Sequence, residues 1–553
     1  MTLHYSLSSA VLLTSLLILR SYSLEVNISQ AQVPTSDADL LEFQLNLEYL
    51  VAEFFFYGAT GRGLDAVAPE LAQGGPPPIG GKFAILDPYV RDVIFQFALQ
   101  KLGHFRAIKR TVKGIPRPLL NISKQLFADL MDRAFEQRLD PPFDPYASTL
   151  NFLIASFVVS ELAPPIYIGF SQELQNATFK RLVTELVAVE SSQQAVIRAY
   201  LFEHRGFLVE PYEVTVAEFT SRIGELEIRL GNKEIIIEGV VVPRSQGAEG
   251  KVSGNVIAGD KDSLPFAKDI TLLLKILYGG NGRDPINFFP KGTNGQPSLN
   301  MVLHTSFIVV FLTSVVLILL IPRCYCSEIN ERQGSSPNIS EVDLVELPLN
   351  LAYLVAEFFL IGATGRGLDA FAPGSAEGGP PPVGGKMANM DPLTKDVSIQ
   401  YGLIAVGHLR FSCLHLYKHY FSKATKGKYL HKWFLGVASG VQTSNRAYLY
   451  ERRDSVVPPY KITVAEFTNR ISEQGNKLAK TGTKSEGLVV PPSQGAEGKV
   501  SSNVIDADKN SLSYQRNPEE ILRIIYGSGD ERVPGGFYPK GANGRIAKYY
   551  LNK

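Results

Sequence analysis

DADLLEFQLNLEYLVAEFFFYGATGRGLDAVAP begins at Asp37, and EVDLVELPLNLAYLVAEFFLIGATGRGLDAFAP begins at Glu341. The offset of 304 residues holds through GGPPPIGGK at 74–82 and GGPPPVGGK at 378–386, and on to His104 and His408. Further along, PYEVTVAEFT at 211–220 matches PYKITVAEFT at 459–468 with an offset of 248, so the second copy is shorter by 56 residues between its two matching halves. A repeat of this size is a domain and not a solenoid unit. Whatever one copy folds into must therefore be built twice, the second time with a piece missing.

The chain has 553 residues, 45% hydrophobic and 20% charged, which is ordinary globular composition for two or more domains. Its 55 basic and 54 acidic side chains nearly cancel, so charge gives no reason to expect nucleic acid. Cys324, Cys326 and Cys413 make neither a disulfide framework nor a zinc spacing.

MTLHYSLSSAVLLTSLLILRSYSLEV opens the chain, apolar from about Val11 to Leu19 and ending in small residues. Residues 1–23 read as a secretory signal peptide, which predicts a secreted, extracellular or cell-wall protein; a membrane anchor is the alternative. Asn27, Asn121, Asn176 and Asn338 begin Asn-x-Ser/Thr triplets and are candidate glycosylation sites. Between the copies, within 301–327, lies MVLHTSFIVVFLTSVVLILLIPRCYC, nearly all apolar over 307–322. Two readings stay open. One is a transmembrane helix tethering a two-domain cell-surface protein. The preferred one is a second signal peptide, stranded when two neighbouring genes were merged: a methionine, an apolar run and a fresh domain start follow one another.

Copy 1 is dominated by segments of helical period. Leu41, Leu45, Glu48, Val51, Ala52 and Phe55 share one face, as do Ile94, Phe97, Lys101, His104 and Ile108. A third helix is predicted over 147–161 and a fourth over 178–203, where Leu186, Glu190, Gln193, Ile197 and Leu201 align. The expected fold class is mainly α: a four-helix bundle over 36–205 with an irregular C-terminal extension over 206–297. Copy 2 repeats it as a truncated bundle at 338–450 and an extension at 451–553. Copy 2 cannot build the same core without a substitute for the third helix, which falls in the missing stretch.

Polar residues interrupt the apolar stripes. Glu48, Lys101, His104, Glu190 and Gln193 all project toward the expected core, where a lone charge is costly. Glu48, His104 and Glu190 make a partial metal set.

The motifs LNLEYLVAEFF, GATGRGLD, GGPPPIGGK, LGHFRAIKRTVKGIPRPLL, PPFDPYASTLNFLIAS, VAVESSQQAVIRAYL, PYEVTVAEFT and GAEGKVSGNVIAGDKDSL resemble those of plant desiccation-related proteins of the ferritin-like superfamily. The resemblance covers most of both copies. It implies a ferritin-like bundle, whose metal-binding members take glutamates from two helices and Glu-x-x-His from each of the other two. Carried over, Glu48 matches the first-helix glutamate, His104 the second-helix histidine and Glu190 the last-helix glutamate. Lys101, Ser160 and Gln193 depart from the pattern, and Glu161 beside Ser160 points about 100° away on a helix. A two-metal site wants several anionic oxygens, and Lys101 puts a cation among them instead. Lys101 either bridges Glu48 and Glu190 as a buried ion network or snorkels to the surface. In copy 2, Ala352, Ala405, Ala438 and Val441 stand at the Glu48, Lys101, Glu190 and Gln193 positions, and only His408 survives.

Other motifs carry less. GATGRG at 58–63 fits no phosphate loop and reads as a helix C-cap and turn. Gly-Asp-Lys-Asp at 259–262 is a fragment of a calcium loop without its closing glutamate. No catalytic Ser/His/Asp or Cys/His set is evident. The resulting expectation is a secreted, non-catalytic stress protein with a degraded di-iron site and no cofactor, iron being open only at an incomplete site. It would act on cell-wall or membrane-surface components or as a homo-oligomer. The alternatives are a divalent-metal protein with sequestration or redox activity through Glu48, His104 and Glu190, and the membrane-tethered form.

Overall fold

The computed structural model describes residues 36–170, 174–230, 238–263, 288–294, 341–419, 430–508 and 510–552. The expected signal peptide, Asn27, the 301–327 segment and Asn338 lie outside the described residues.

Copy 1 forms the expected bundle. Helix α1 (Asp37–Thr60) starts at a capping box in which Ser36 and Asp39 satisfy each other's backbone N–H. It stops at Gly61, whose φ of 73° only glycine adopts freely and whose N–H donates to the Tyr57 carbonyl. GATGRG is therefore a cap. Helix α2 (Pro88–Thr111) begins behind Asp87, which accepts from the Val90 N–H, with proline at a position that needs no donor. Then come α3 (Lys124–Phe135), α4 (Thr149–Ser160), α5 (Ala163–Phe170) and α6 (Ala177–Glu203). The third and fourth predicted helices are α4 and α6, with ends within two residues of the expected ones.

The extension is less irregular than its composition implied. After a two-residue hairpin, β1 (Leu208–Val209) against β2 (Val214–Thr215), it forms α7 (Val216–Leu230). Val216, Phe219, Ile223 and Leu226 are buried at helical spacing, and the Phe219 ring lies 4.7 Å from that of Phe135 on α3. Residues 238–263 are irregular, as expected.

Copy 2 begins with α8 (Glu341–Thr364) paired with α9 (Pro392–His419), as α1 is with α2. Helix α10 (Leu430–Glu451) runs alongside α6 of the first copy. The extension then carries α11 (Val464–Ala479), α12 (Pro518–Tyr526) and α13 (Arg545–Leu551). The substitute for the lost helix is incomplete. Ala356, Leu360, Leu403, Val406 and Leu409 make a core that borrows Val252 from the first copy. In copy 1, Phe54 stacks on Phe152 of α4 at 4.7 Å and 6° and is fully buried. Its counterpart Phe358 has no α4 to meet and is 68% exposed.

Candidate functional site

The polar residues that interrupt three apolar stripes meet in one place. Glu48 on α1, Lys101 and His104 on α2 and Glu190 on α6 are all at most 3% exposed. Lys101 and His104 are three residues apart and so stand one above the other on α2.

Lys101 Nζ bonds Glu190 Oε1 and lies 3.2 Å from Glu48 Oε2. His104 Nδ1 is 3.3 Å from Glu48 Oε2 and 3.1 Å from Glu190 Oε1. On its other side, His104 Nε2 is 2.9 Å from the Ser511 carbonyl. Tyr167 on α5 donates its hydroxyl to Glu48 Oε1 at 2.8 Å. Of the two readings of Lys101, the buried bridge is the one that forms, and the side chain does not snorkel.

The electrostatics follow from that geometry. Burial alone would push the Glu48 carboxyl up, but Lys101, His104 and the bonds from His104 and Tyr167 hold it well below the usual carboxylate range. Burial would likewise discharge Lys101, and the two carboxylates reverse it, raising the ammonium above its ordinary value. His104 is fully buried yet lifted from 6.5 to about 9 by the same carboxylates. Both of its ring nitrogens face acceptors only, so the doubly protonated imidazolium is the form that satisfies them. Two carboxylates and two cations then balance within one buried cluster.

The remaining positions of the ferritin-like pattern do not join it. Ser160 is buried on α4, and Gln193 Nε2 donates to Gln100 Oε1 at 3.2 Å. Glu161 turns the other way, to Arg198 Nη1 at 2.6 Å and to Gln194. Arg198 also donates to the Gly239 and Asn255 carbonyls, fastening the extension to α6. Of the candidate glycosylation sites, Asn176 is exposed at the start of α6, and Asn121 is half-buried. In copy 2, among the described residues, His408 alone keeps a polar side chain at the matching positions.

Glu48, His104 and Glu190 can bring one donor atom each within 4.8 Å of one another, the span of a metal site. The residues do not fit two irons. The space between the carboxylates is taken by the Lys101 ammonium, and the cluster is already neutral, so a divalent ion would bring two uncompensated charges.

Sequence reasoning missed Tyr167, Arg198 and Ser511. Tyr167 lies beyond the end of the third expected helix at 161, on α5, whose first turn holds Pro164 and Pro165, where proline is tolerated. Ser511 acts through its backbone and comes from the other copy. Its trace in the sequence is the repetition of Asp-Lys-x-Ser-Leu at 260–264 and 508–512.

A bundle of α1, α2, α4 and α6 with inward carboxylates and a histidine defines a ferritin-like protein, and a family model described as a ferritin-like domain matches residues 36–203. The desiccation-related protein PCC13-62 of Craterostigma plantagineum is 49% identical over 269 residues, 48% of this chain and 86% of that protein. The ferritin-like catalase Nec2 of Nesocodon mauritianus is 47% identical over 265 residues, 48% of this chain and 85% of that protein. No solved structure gives a significant match. The chain belongs to the plant desiccation-related ferritin-like proteins.

Proposed function

We propose that this chain is a secreted stress protein that uses the ferritin-like bundle without its iron chemistry, protecting or binding cell-wall components during water loss. What supports the reading is Lys101: its ammonium sits 3.2 Å from Glu48 and bonds Glu190 in the space a metal would need. The name of PCC13-62 supplies the link to desiccation. The test is metal content of the full chain after loading with iron(II) and desalting. This reading expects no stoichiometric iron; two irons per chain would overturn it. Export is tested separately, by probing extracellular washes of the source tissue. A species at half the mass of the 60.7 kDa chain would make the two copies separate products.

A second reading is a peroxide-decomposing protein. Two observations favour it: the relative named a ferritin-like catalase, and a His104 whose Nε2 is backed by a carbonyl, as metal-bound histidines usually are. Oxygen release from hydrogen peroxide by the full chain, lost in Glu48→Gln and Glu190→Gln, would establish it. Absence of release from metal-loaded protein would remove it.

A further inference from the structure

Each copy sends its extension across to the other copy's second helix. The 497–512 arm of copy 2 lies along α2. Gln96 accepts from the Val504 N–H at 3.1 Å, Gln100 donates to the Ile505 carbonyl at 3.2 Å, and Arg106 pairs with Glu497. The 249–263 arm of copy 1 lies along α9 in the same way. Gln400 accepts from the Val256 N–H at 3.2 Å, Arg410 pairs with Glu249, and His408 meets the Ser263 backbone. Apart from Gln100, whose counterpart is Ile404, these are the same residues at offsets of 304 and 248, so the exchange is reciprocal.

The arms seat on glycine. A side chain at Gly103 would meet the Asn510 carbonyl at 2.2 Å, and one at the matching Gly407 would meet the Asp262 carbonyl at 2.6 Å. The tip of each arm is a tight turn. Asp508 accepts from the Asn510 and Leu512 N–H groups, and the Ser511 N–H donates to its carbonyl. Asp260 makes the corresponding turn with Asp262 and Ser263, which absorbs the Gly-Asp-Lys-Asp fragment. Ser511 and Ser263 both adopt the left-handed region, at φ 57° and 61°, which L-residues other than asparagine and aspartate seldom hold without reason.

We propose that copy 2, which has alanines at the Glu48 and Glu190 positions, is a structural part of copy 1's centre: the Ser511 carbonyl is the positioning group that holds the His104 ring, and the two copies work as one reciprocal pair. Ser511 touches no reacting atom. It fixes Nε2 so that Nδ1 is turned to Glu48 and Glu190. The proposal holds whether the centre keeps its lysine or takes a metal, so its failure is separate from failure of the proposed function.

The experiment follows the Nε2 proton of His104 by NMR in the full chain. Ser511→Val, which disfavours positive φ, is expected to speed its exchange with solvent about tenfold, the factor one net hydrogen bond is worth. Ser511→Gly, which keeps the turn, is expected to leave it unchanged. Unchanged exchange in Ser511→Val would overturn the proposal. The intact fold can also be cut once, at a protease site inserted near 331–335. The halves are expected to stay together on gel filtration with the proton still protected. Halves that part with the proton still protected would show a self-sufficient centre and overturn the proposal, even if Ser511→Val does not fold.

Discussion

His104 and His408 occupy one position in two copies of one fold, each buried and each facing the corresponding backbone turn of the other copy, yet their chemistry is opposite. His104 is lifted to about 9 and His408 is pushed down to about 4. Burial acts on both in the same direction, toward the neutral ring. What differs is the company: Glu48 and Glu190 beside one, and alanines, Ala352 and Ala438, at the matching sequence positions of the other copy. A histidine in this fold does not by itself make a charged centre. The carboxylates do, and Lys101 then neutralises what they bring.

The largest expected effects break the comparison at its charges. Lys101→Met leaves two buried carboxylates to one imidazolium and is expected to cost about 3–5 kcal/mol in chemical denaturation. Unchanged stability would mean there is no network. Ala405→Lys sends the same residue into the buried core of copy 2, where alanines stand at the Glu48 and Glu190 positions, and a loss of similar size is expected. Adding Ala352→Glu, whose alanine packs against the core that holds Ala405, should recover part of it, and a double variant no better than the single one would contradict the assignment of partners.

Packing separates the copies next. Phe54→Ala removes a buried ring stacked on Phe152 and is expected to cost about 3–5 kcal/mol. Phe358→Ala is expected to change stability by less than about 0.5 kcal/mol, since the ring is already in water. Equal losses in the two variants would show that Phe358 is covered.

The pH dependence is the gentlest test. His104, raised above its unfolded value of 6.5, contributes its stability in full below pH 6.5 and loses it as pH rises through about 9. His408, lowered, contributes in full above pH 6.5 and loses it as pH falls through about 4. Thermal stability should therefore fall away on both sides of a maximum near neutrality. His408→Leu should flatten the acid limb and Glu48→Gln the alkaline limb. A Glu48→Gln variant with the alkaline limb intact would break the link between the carboxylate and the ring.

The sequence shows unequal amounts of this. The bundle was legible because Leu41, Leu45, Ile94, Phe97, Leu186 and Ile197 repeat at helical period and because the duplication gave each motif twice. The cluster was legible as well, since Glu48, Lys101, His104 and Glu190 stand out on otherwise apolar faces. Its closure was not. Tyr167 follows two prolines, and Ser511 contributes a carbonyl that every residue possesses, from a position 407 residues away. Contacts made by backbone across a duplication leave only the repeated Asp-Lys-x-Ser-Leu, which marks a turn and not the residue it meets. Helix α7 was missed for a simpler reason: its apolar stripe, from Val216 to Leu226, is short and follows a hairpin.

The proposal to test first is that the Lys101 ammonium occupies the place an iron would take. Its most direct test is iron stoichiometry in the full chain beside Lys101→Glu, which restores Glu-x-x-His on α2. The account predicts that the natural chain retains no stoichiometric iron and that Lys101→Glu gains it. Iron held equally by both would mean that the ammonium was never the occupant of the centre.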